Sequence, residues 1–153
     1  MIRKGRYEDI TRILELANKA GDLTPYSQVP RDRQSMVQVV TSCMASRFSC
    51  CFVAEHEGIL TGVLLAQAPE LWFSKKRAAT DLLFYSERAD GAGLIREYLQ
   101  WAWSVPQVIE VSLAQSSGLD MDRFEKLCAY AGLQRMGSVY GLVKPPKAAE
   151  VAT

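Results

Sequence analysis

The chain has a single histidine, His56, in 153 residues, and its four cysteines, Cys43, Cys50, Cys51 and Cys128, form no C-x-x-C pair. Zinc and most transition-metal sites draw on clustered His and Cys, so no metal site is expected and the cysteines read as free thiols in a reducing compartment. No apolar run approaches the roughly 18 residues that a membrane-spanning helix requires. Charge of one sign is also missing: 18 Lys and Arg stand against 17 Asp and Glu, giving +1 with the signs interspersed. Without a basic stripe there is no electrostatic footprint for nucleic acid. The opening Met1-Ile2-Arg3-Lys4-Gly5-Arg6 lacks the apolar stretch of a secretory signal, so the chain reads as cytoplasmic. Repeats, low-complexity tracts and long linkers are absent too, which leaves one domain over 1–144 and a flexible tail over 145–153.

What is present is a mixture of both periodicities. Residues 1–6 suit a short strand, and Ile10, Ile13, Leu14 and Ala17 then recur at helical spacing until Gly21. Two prolines between Asp22 and Pro30 mark a loop, and Pro30 is placed to open a second helix carrying Met36, Val39, Val40, Cys43 and Met44. Cys50 to Ala54 and Ile59 to Gln67 read as strands joined by a turn, Glu55-His56-Glu57-Gly58, making an antiparallel hairpin. Trp72 and Phe73 fall in a loop, on the acceptor side of a site or over one edge of the core. Ala78 to Ser86 is a further strand whose run Leu82-Leu83-Phe84-Tyr85 suits burial on both faces. A helix from Leu94 stops before Pro106, and 108–113 alternates as a strand. Asp120 or Asp122 caps a last helix that ends at Gly132, in the position of a left-handed turn. Residues 135–143 suit a final strand. The order is β-α-α-β-β-β-α-β-α-β: an α/β (α+β) chain with a mixed, mostly antiparallel central sheet and about four flanking helices.

One stretch carries chemistry. The strand at 82–86 runs directly into Arg88-Ala89-Asp90-Gly91-Ala92-Gly93, which opens a helix at Leu94. At such a junction several backbone N–H groups lack intrahelical partners, and the helix dipole adds partial positive charge, so phosphate is favoured there. Gly91 and Gly93 would let a pyrophosphate approach the backbone, and Arg88 can add a charge-assisted contact. Asp90 introduces a negative charge close to the same spot.

Arg88-x-x-Gly91-x-Gly93 resembles the Gln/Arg-x-x-Gly-x-Gly/Ala motif of the GNAT acetyltransferases. Phe52 to Gly62 is similar to the strand-turn-strand hairpin of that family, and Lys126 to Leu133 to its last helix end. The resemblance extends over roughly 1–144, and from Asp81 to Tyr140 it is nearest to small phage-encoded members. It implies an acyl-CoA-dependent N-acyltransferase that moves an acetyl group from acetyl-CoA to an amine on a small molecule, peptide or protein. Leu83, Phe84 and Tyr85 would line the pantetheine arm, while Arg88, Ala89, Asp90, Gly91, Ala92, Gly93 and Leu94 would hold the pyrophosphate. The acyl thioester would lie in a gap between the strand at 82–86 and that at 108–113.

Direct attack by an amine calls for a base, an oxyanion donor and an acid for the leaving thiolate. Asp81 is the first choice for the base, with Glu87 as the other flanking carboxylate. The resemblance places the acid at Cys128, where many members carry Tyr; Tyr130 would face away from Cys128, and Tyr140 offers a second phenol. The missing Tyr keeps open a degenerate relative that binds without catalysis, or a structural or assembly protein in which the glycines only shape a turn. Acceptor contacts would come from residues 20–35 and 68–77. Pairing into a homodimer through an edge or terminal strand is compatible with the pattern.

Overall fold

A computed structural model describes residues 1–115 and 120–145. The elements are β1 (Ile2–Lys4), a 3-10 turn (Tyr7–Asp9), α1 (Ile10–Asp22), α2 (Arg33–Ala45), β2 (Ser49–His56), β3 (Ile59–Gln67), β4 (Arg77–Ser86), α3 (Gly91–Ser104), β5 (Val108–Ser112) and α4 (Met121–Tyr130). The five strands form one sheet in sequence order, β1-β2-β3-β4-β5. Every pairing is antiparallel except β4 with β5, which is parallel. The long connection through α3 makes that parallel pair feasible.

Two cores form on opposite faces of the sheet. On one, Ile13, Leu14 and Leu16 of α1 and Val40 and Cys43 of α2 pack on Cys51, Val53, Val63 and Leu65. On the other, Leu94, Tyr98 and Ala102 of α3 pack on Phe52, Ala54, Leu64 and Val111. The split of the adjacent thiols follows from the strand period: Cys50 belongs to one core and Cys51 to the other. Burial pushes the Cys51 thiol up to about 12, so it stays protonated.

The junction of β1 and α1 is tied by ions. The Arg3 guanidinium donates to both Asp9 oxygens, at 2.7 and 3.0 Å, and to Glu55 Oε2 at 2.6 Å. Arg6 N adds a bond of 2.8 Å to Asp9 Oδ2. Asp9 is only 8% exposed, and its hydrogen bonds from Arg3 hold its carboxyl below the usual range against the opposing effect of burial.

Several expectations change. Helix α2 begins at Arg33, after Pro30, because Asp32 caps it by accepting from Ser35 N at 2.7 Å. The β2–β3 hairpin turns through Glu57 and Gly58, both at positive φ (52° and 79°). Asp120 precedes α4 as anticipated, but its side chain makes no capping bond. Gly132 does adopt the left-handed conformation, with φ 81°, and Leu133 N reaches Cys128 O at 2.8 Å.

The final strand is not formed: residues 133–145 have no regular structure, and Val139, Tyr140 and Leu142 are over 90% exposed. Gly137 and Gly141 offer no side chains to pack, and no described strand lies beside them. The run Leu82 to Tyr85 is not covered on both faces either, since Leu82 is exposed and the others are half-buried. Trp72 and Phe73 stack edge-to-face on each other, 94% and 67% exposed, and line neither the core nor the cleft described below. Apart from Pro145, the expected tail lies outside the described residues.

Candidate active site

The site begins where β4 and β5 part. Arg77 to Thr80 pair with Val108 to Ser112, and pairing then ends. The Tyr98 hydroxyl donates to Ser112 O at 2.8 Å and fixes the end of β5 against α3. On the other edge of β4, Leu65 faces Leu83 and Ala66 faces Asp81, so Leu82 is a bulged residue without a partner in either neighbour. Bulges release backbone groups from the ladder and re-aim side chains. The result is a cleft of about 1010 Å3 along the free half of β4.

Asp81 stands at the apex of this opening. Its Oδ1 accepts from Ala114 N at 2.9 Å, and no cation pairs with it among the described residues. Burial raises its proton affinity above the ordinary carboxylate value, only partly offset by the Ala114 hydrogen bond. Glu87, the other candidate base, is occupied: Arg12 bonds it at 2.9 Å and Lys19 contacts it as well. These cations hold its carboxyl low, Lys19 contributing most, which suits a structural clasp between α1 and the turn rather than a base.

The glycine turn is built as a donor nest, for reasons that differ from the sequence argument. Leu94 N is the first in α3 to bond back, to Asp90 O at 3.1 Å, so the N–H groups of Gly91, Ala92 and Gly93 find no backbone acceptor among the described residues. The bare sides of the glycines face protein. A Cβ on Gly93 would sit 3.0 Å from Ile2 Cγ1, and one on Gly91 would sit 3.3 Å from Phe84 and Leu127 side-chain atoms. The glycines therefore allow close packing of α3 against β1, β4 and α4, where a Cβ would make the Ile2, Phe84 or Leu127 side chains give way.

Asp90 is turned away from the nest. Its Oδ2 accepts from the Thr61 hydroxyl at 2.9 Å. Thr61 is buried and is the bulged residue of β3, lying between the Ala54–Gly62 and Glu55–Leu60 pairs. Its carbonyl also accepts from Glu87 N at 2.8 Å, so one residue anchors the turn at two points. Thr61 escaped the sequence reading because a bulge leaves no local mark.

Of the predicted coenzyme residues, Leu83, Phe84, Tyr85, Arg88, Ala89, Gly91 and Ala92 line the cleft. Asp90 is bound to Thr61, Gly93 packs on Ile2, and Leu94 is fully buried in the core. Of the predicted catalytic residues, Asp81 lines the cleft. Cys128 does not; it is half-buried, with its thiol raised first by burial and then by the Asp81 charge. Tyr140 stands in the exposed segment after α4, away from the cleft lining. Helix α4 instead presents Arg123, Lys126, Leu127 and Tyr130, spaced at three, four and seven residues. That spacing was readable in the sequence, and it brings Tyr130, 87% exposed, to the cleft that Tyr85 and Tyr26 also line.

No protein-family model matches the chain, and no curated protein matches it by sequence. Solved structures do. AAC(6')-Iy in complex with the bisubstrate analogue CoA-S-monomethyl-acetylneamine superposes with a TM-score of 0.71 at 12% identity, over 95% of this chain and 98% of that one. An aminoglycoside 6'-N-acetyltransferase from Acinetobacter haemolyticus gives 0.67 at 17% identity, over 96% and 99%. A "predicted acetyltransferase" from Clostridium acetobutylicum, solved with acetyl-CoA, gives 0.67 at 15%, over 94% and 95%. None of the three supports the nearness to phage-encoded members. Among the described residues no helix is long and apolar enough to cross a membrane. A mixed sheet with a parallel β4–β5 pair, opened beyond Thr80 and flanked by these four helices, is the fold of GNAT-type acetyltransferases.

Proposed function

We propose that the chain is an acyl-CoA-dependent N-acyltransferase that moves an acetyl group from acetyl-CoA to an amine by direct attack. The observation that carries this reading is the coincidence, in one cleft, of N–H groups without backbone acceptors at the start of α3 and a half-buried Asp81, without a cation among the described residues, where β4 and β5 part. The donors fit a pyrophosphate, and Arg88, Arg123 and Lys126 line the cleft without ion pairs among the described residues. The open edge of β4 offers main-chain groups to an amide-bearing arm, as an added strand would use them.

Acetyl-CoA supplies the acyl carbon: the amine lone pair forms the C–N bond there, and the C–S bond breaks. Asp81 accepts the proton that the amine gives up, and the raised affinity produced by burial favours that role. Tyr130, which lines the cleft from α4, would return a proton to the departing sulfur, taking over the part that sequence reasoning gave to Cys128 or Tyr140. The Leu82 N–H, left out of the strand register by the bulge, would donate to the developing oxyanion.

The test is a thermal-stability measurement with acetyl-CoA. A ligand at about a hundredfold over its Kd adds roughly 2.7 kcal/mol. Ala92→Glu is a cleaner control than a change at Gly91, because Ala92 is exposed and lines the cleft whereas a Cβ on Gly91 meets Phe84 and Leu127. Stabilisation lost in Ala92→Glu supports the reading; a folded wild-type protein that acetyl-CoA does not stabilise rejects it. A non-catalytic binding or assembly role draws on a different observation, the exposed Trp72 and Phe73. Coenzyme binding without turnover of any amine would favour it.

A further inference from the structure

The cleft has a second half, on the side of β4 away from α3. There the end of α1 and the loop after it contribute Ala17, Ala20, Gly21, Leu23, Thr24 and Tyr26. Leu23 and Tyr26 are 44% and 56% exposed although they line a concavity, and Leu82, which lines the same cleft, is 45% exposed. Uncovered apolar side chains that converge in a cleft, with the Thr24 and Tyr26 hydroxyls and Asp81 among them, describe a site for a ligand with a largely apolar body and a polar end.

Charge narrows the ligand further. Among the described residues the cleft is lined by three carboxylates, Asp81, Glu87 and Asp120. Glu87 is committed to Arg12 and Lys19. Asp120 leads into α4, beside Arg123, and so belongs to the coenzyme half. The nearest further acid on the loop side, Asp22, is bonded by Arg31 at 2.8 Å, and that guanidinium also covers Gly21, where a Cβ would come within 2.8 Å of it. Among the described residues Asp81 is left as the acid without a cation to face an incoming ammonium, while Lys19 and Arg31 are themselves tied to Glu87 and Asp22. A polycation such as an aminoglycoside would have to desolvate its further ammonium groups with no free carboxylate to receive them, which is costly.

We infer that the acceptor is a primary monoamine with an apolar or aromatic body, its nitrogen at Asp81 and its body against Ala20, Leu23 and Tyr26. This inference rests on the N-acyltransferase reading and adds the substrate class. The acceptors of the aminoglycoside enzymes that share the fold would be poor substrates here.

The experiment uses the full chain, after acetyl-CoA-dependent thermal stabilisation has been recorded. Thiol release is followed with phenethylamine and hexylamine on one side and kanamycin on the other. The expected result is a kcat/KM for the monoamines about tenfold or more above that for kanamycin, the scale on which a pocket of matched shape discriminates. Tyr26→Ala should raise the KM for phenethylamine several-fold while the KM for acetyl-CoA stays unchanged. Ala20→Glu should shift the ratio towards kanamycin by supplying the missing carboxylate. Equal or better use of kanamycin by the wild type overturns the inference, and so does stabilisation by acetyl-CoA with no turnover of either monoamine. Absence of any acetyl-CoA stabilisation is a different failure, since it removes the enzyme reading itself.

Discussion

Asp9 and Asp81 are the same side chain put to opposite uses. Asp9 is buried and held by a two-pronged Arg3 bond and by Arg6 N, so its charge is stabilised and its carboxyl is pushed low. Asp81 receives backbone N–H groups, chiefly that of Ala114, and no cation among the described residues, so burial prevails and its carboxyl is pushed up. The first arrangement fixes the entry to α1 and is inert. The second stores a cost of burial at the one place where β4 leaves β5, as functional sites do. Burial alone therefore does not single out a candidate base; the proposed role of Asp81 rests on what its partners leave unsatisfied.

The largest effect that would break this contrast is on turnover. Asp81→Asn should lower kcat by about 10² to 10⁴ as the base is removed, with little change in the KM for acetyl-CoA. Because Asn can still accept from Ala114 N and carries no charge to desolvate, the melting temperature should stay level or rise. A fall in stability comparable with that of an Arg3 variant would place Asp81 in the structural class.

Arg3→Ala comes next, leaving Asp9 and Glu55 without their shared cation. Removing one partner of a well-buried pair costs about 3–5 kcal/mol, and partial exposure here favours the lower end. The expected result in chemical denaturation is a lowered midpoint with turnover per folded molecule preserved. Loss of turnover in a folded Arg3→Ala sample would contradict the division of labour.

The two carboxylates also predict pH dependences of opposite sign. Asp9 has a lowered folded value, so its stabilisation is complete above the ordinary carboxylate range and is lost as pH falls towards that lowered value. Asp81 has a raised folded value, so stability declines as pH climbs from the ordinary range through it. The Asp81→Asn variant should lack that decline. In kcat/KM, activity should rise with pH through the raised Asp81 value, since the base works deprotonated. An activity limb at an ordinary carboxylate value would remove Asp81 from the role.

The smallest effect belongs to the turn. Thr61→Val should free Asp90 to face the nest and raise the KM for acetyl-CoA several-fold, leaving kcat nearly unchanged. Thr61→Ser keeps the hydroxyl and should behave as the wild type. The double variant Thr61→Val with Asp90→Asn should recover affinity, because the repelling charge is gone; failure to recover would reduce Thr61 to a packing role.

Local rules carried much of the fold. The hairpin at Glu57-Gly58 was legible because few residues tolerate positive φ, and the start of α3 because a strand meets glycines there. They failed where the answer lay on another element. The direction of the Asp90 side chain depends on a bulge at Thr61, 29 residues away. Gly93 is required by Ile2 at the far end of the chain. The final strand was legible as a pattern in 135–143, yet a strand exists only with a partner, and none is beside it.

By itself, then, the amino-acid sequence determined the alternation of elements, the position of the glycine turn that opens α3 and the short set of acids worth considering. These follow from backbone preferences and periodicities that act over a few residues. Tertiary structure alone decided that Asp81 has no cation among the described residues and Glu87 has two, that Tyr130 rather than Cys128 lines the cleft, and that Leu23 and Tyr26 stand uncovered in the half facing α1. Each of these depends on which distant groups are brought within hydrogen-bonding or packing range, and only the folded sheet, with its opening beyond Thr80, specifies that.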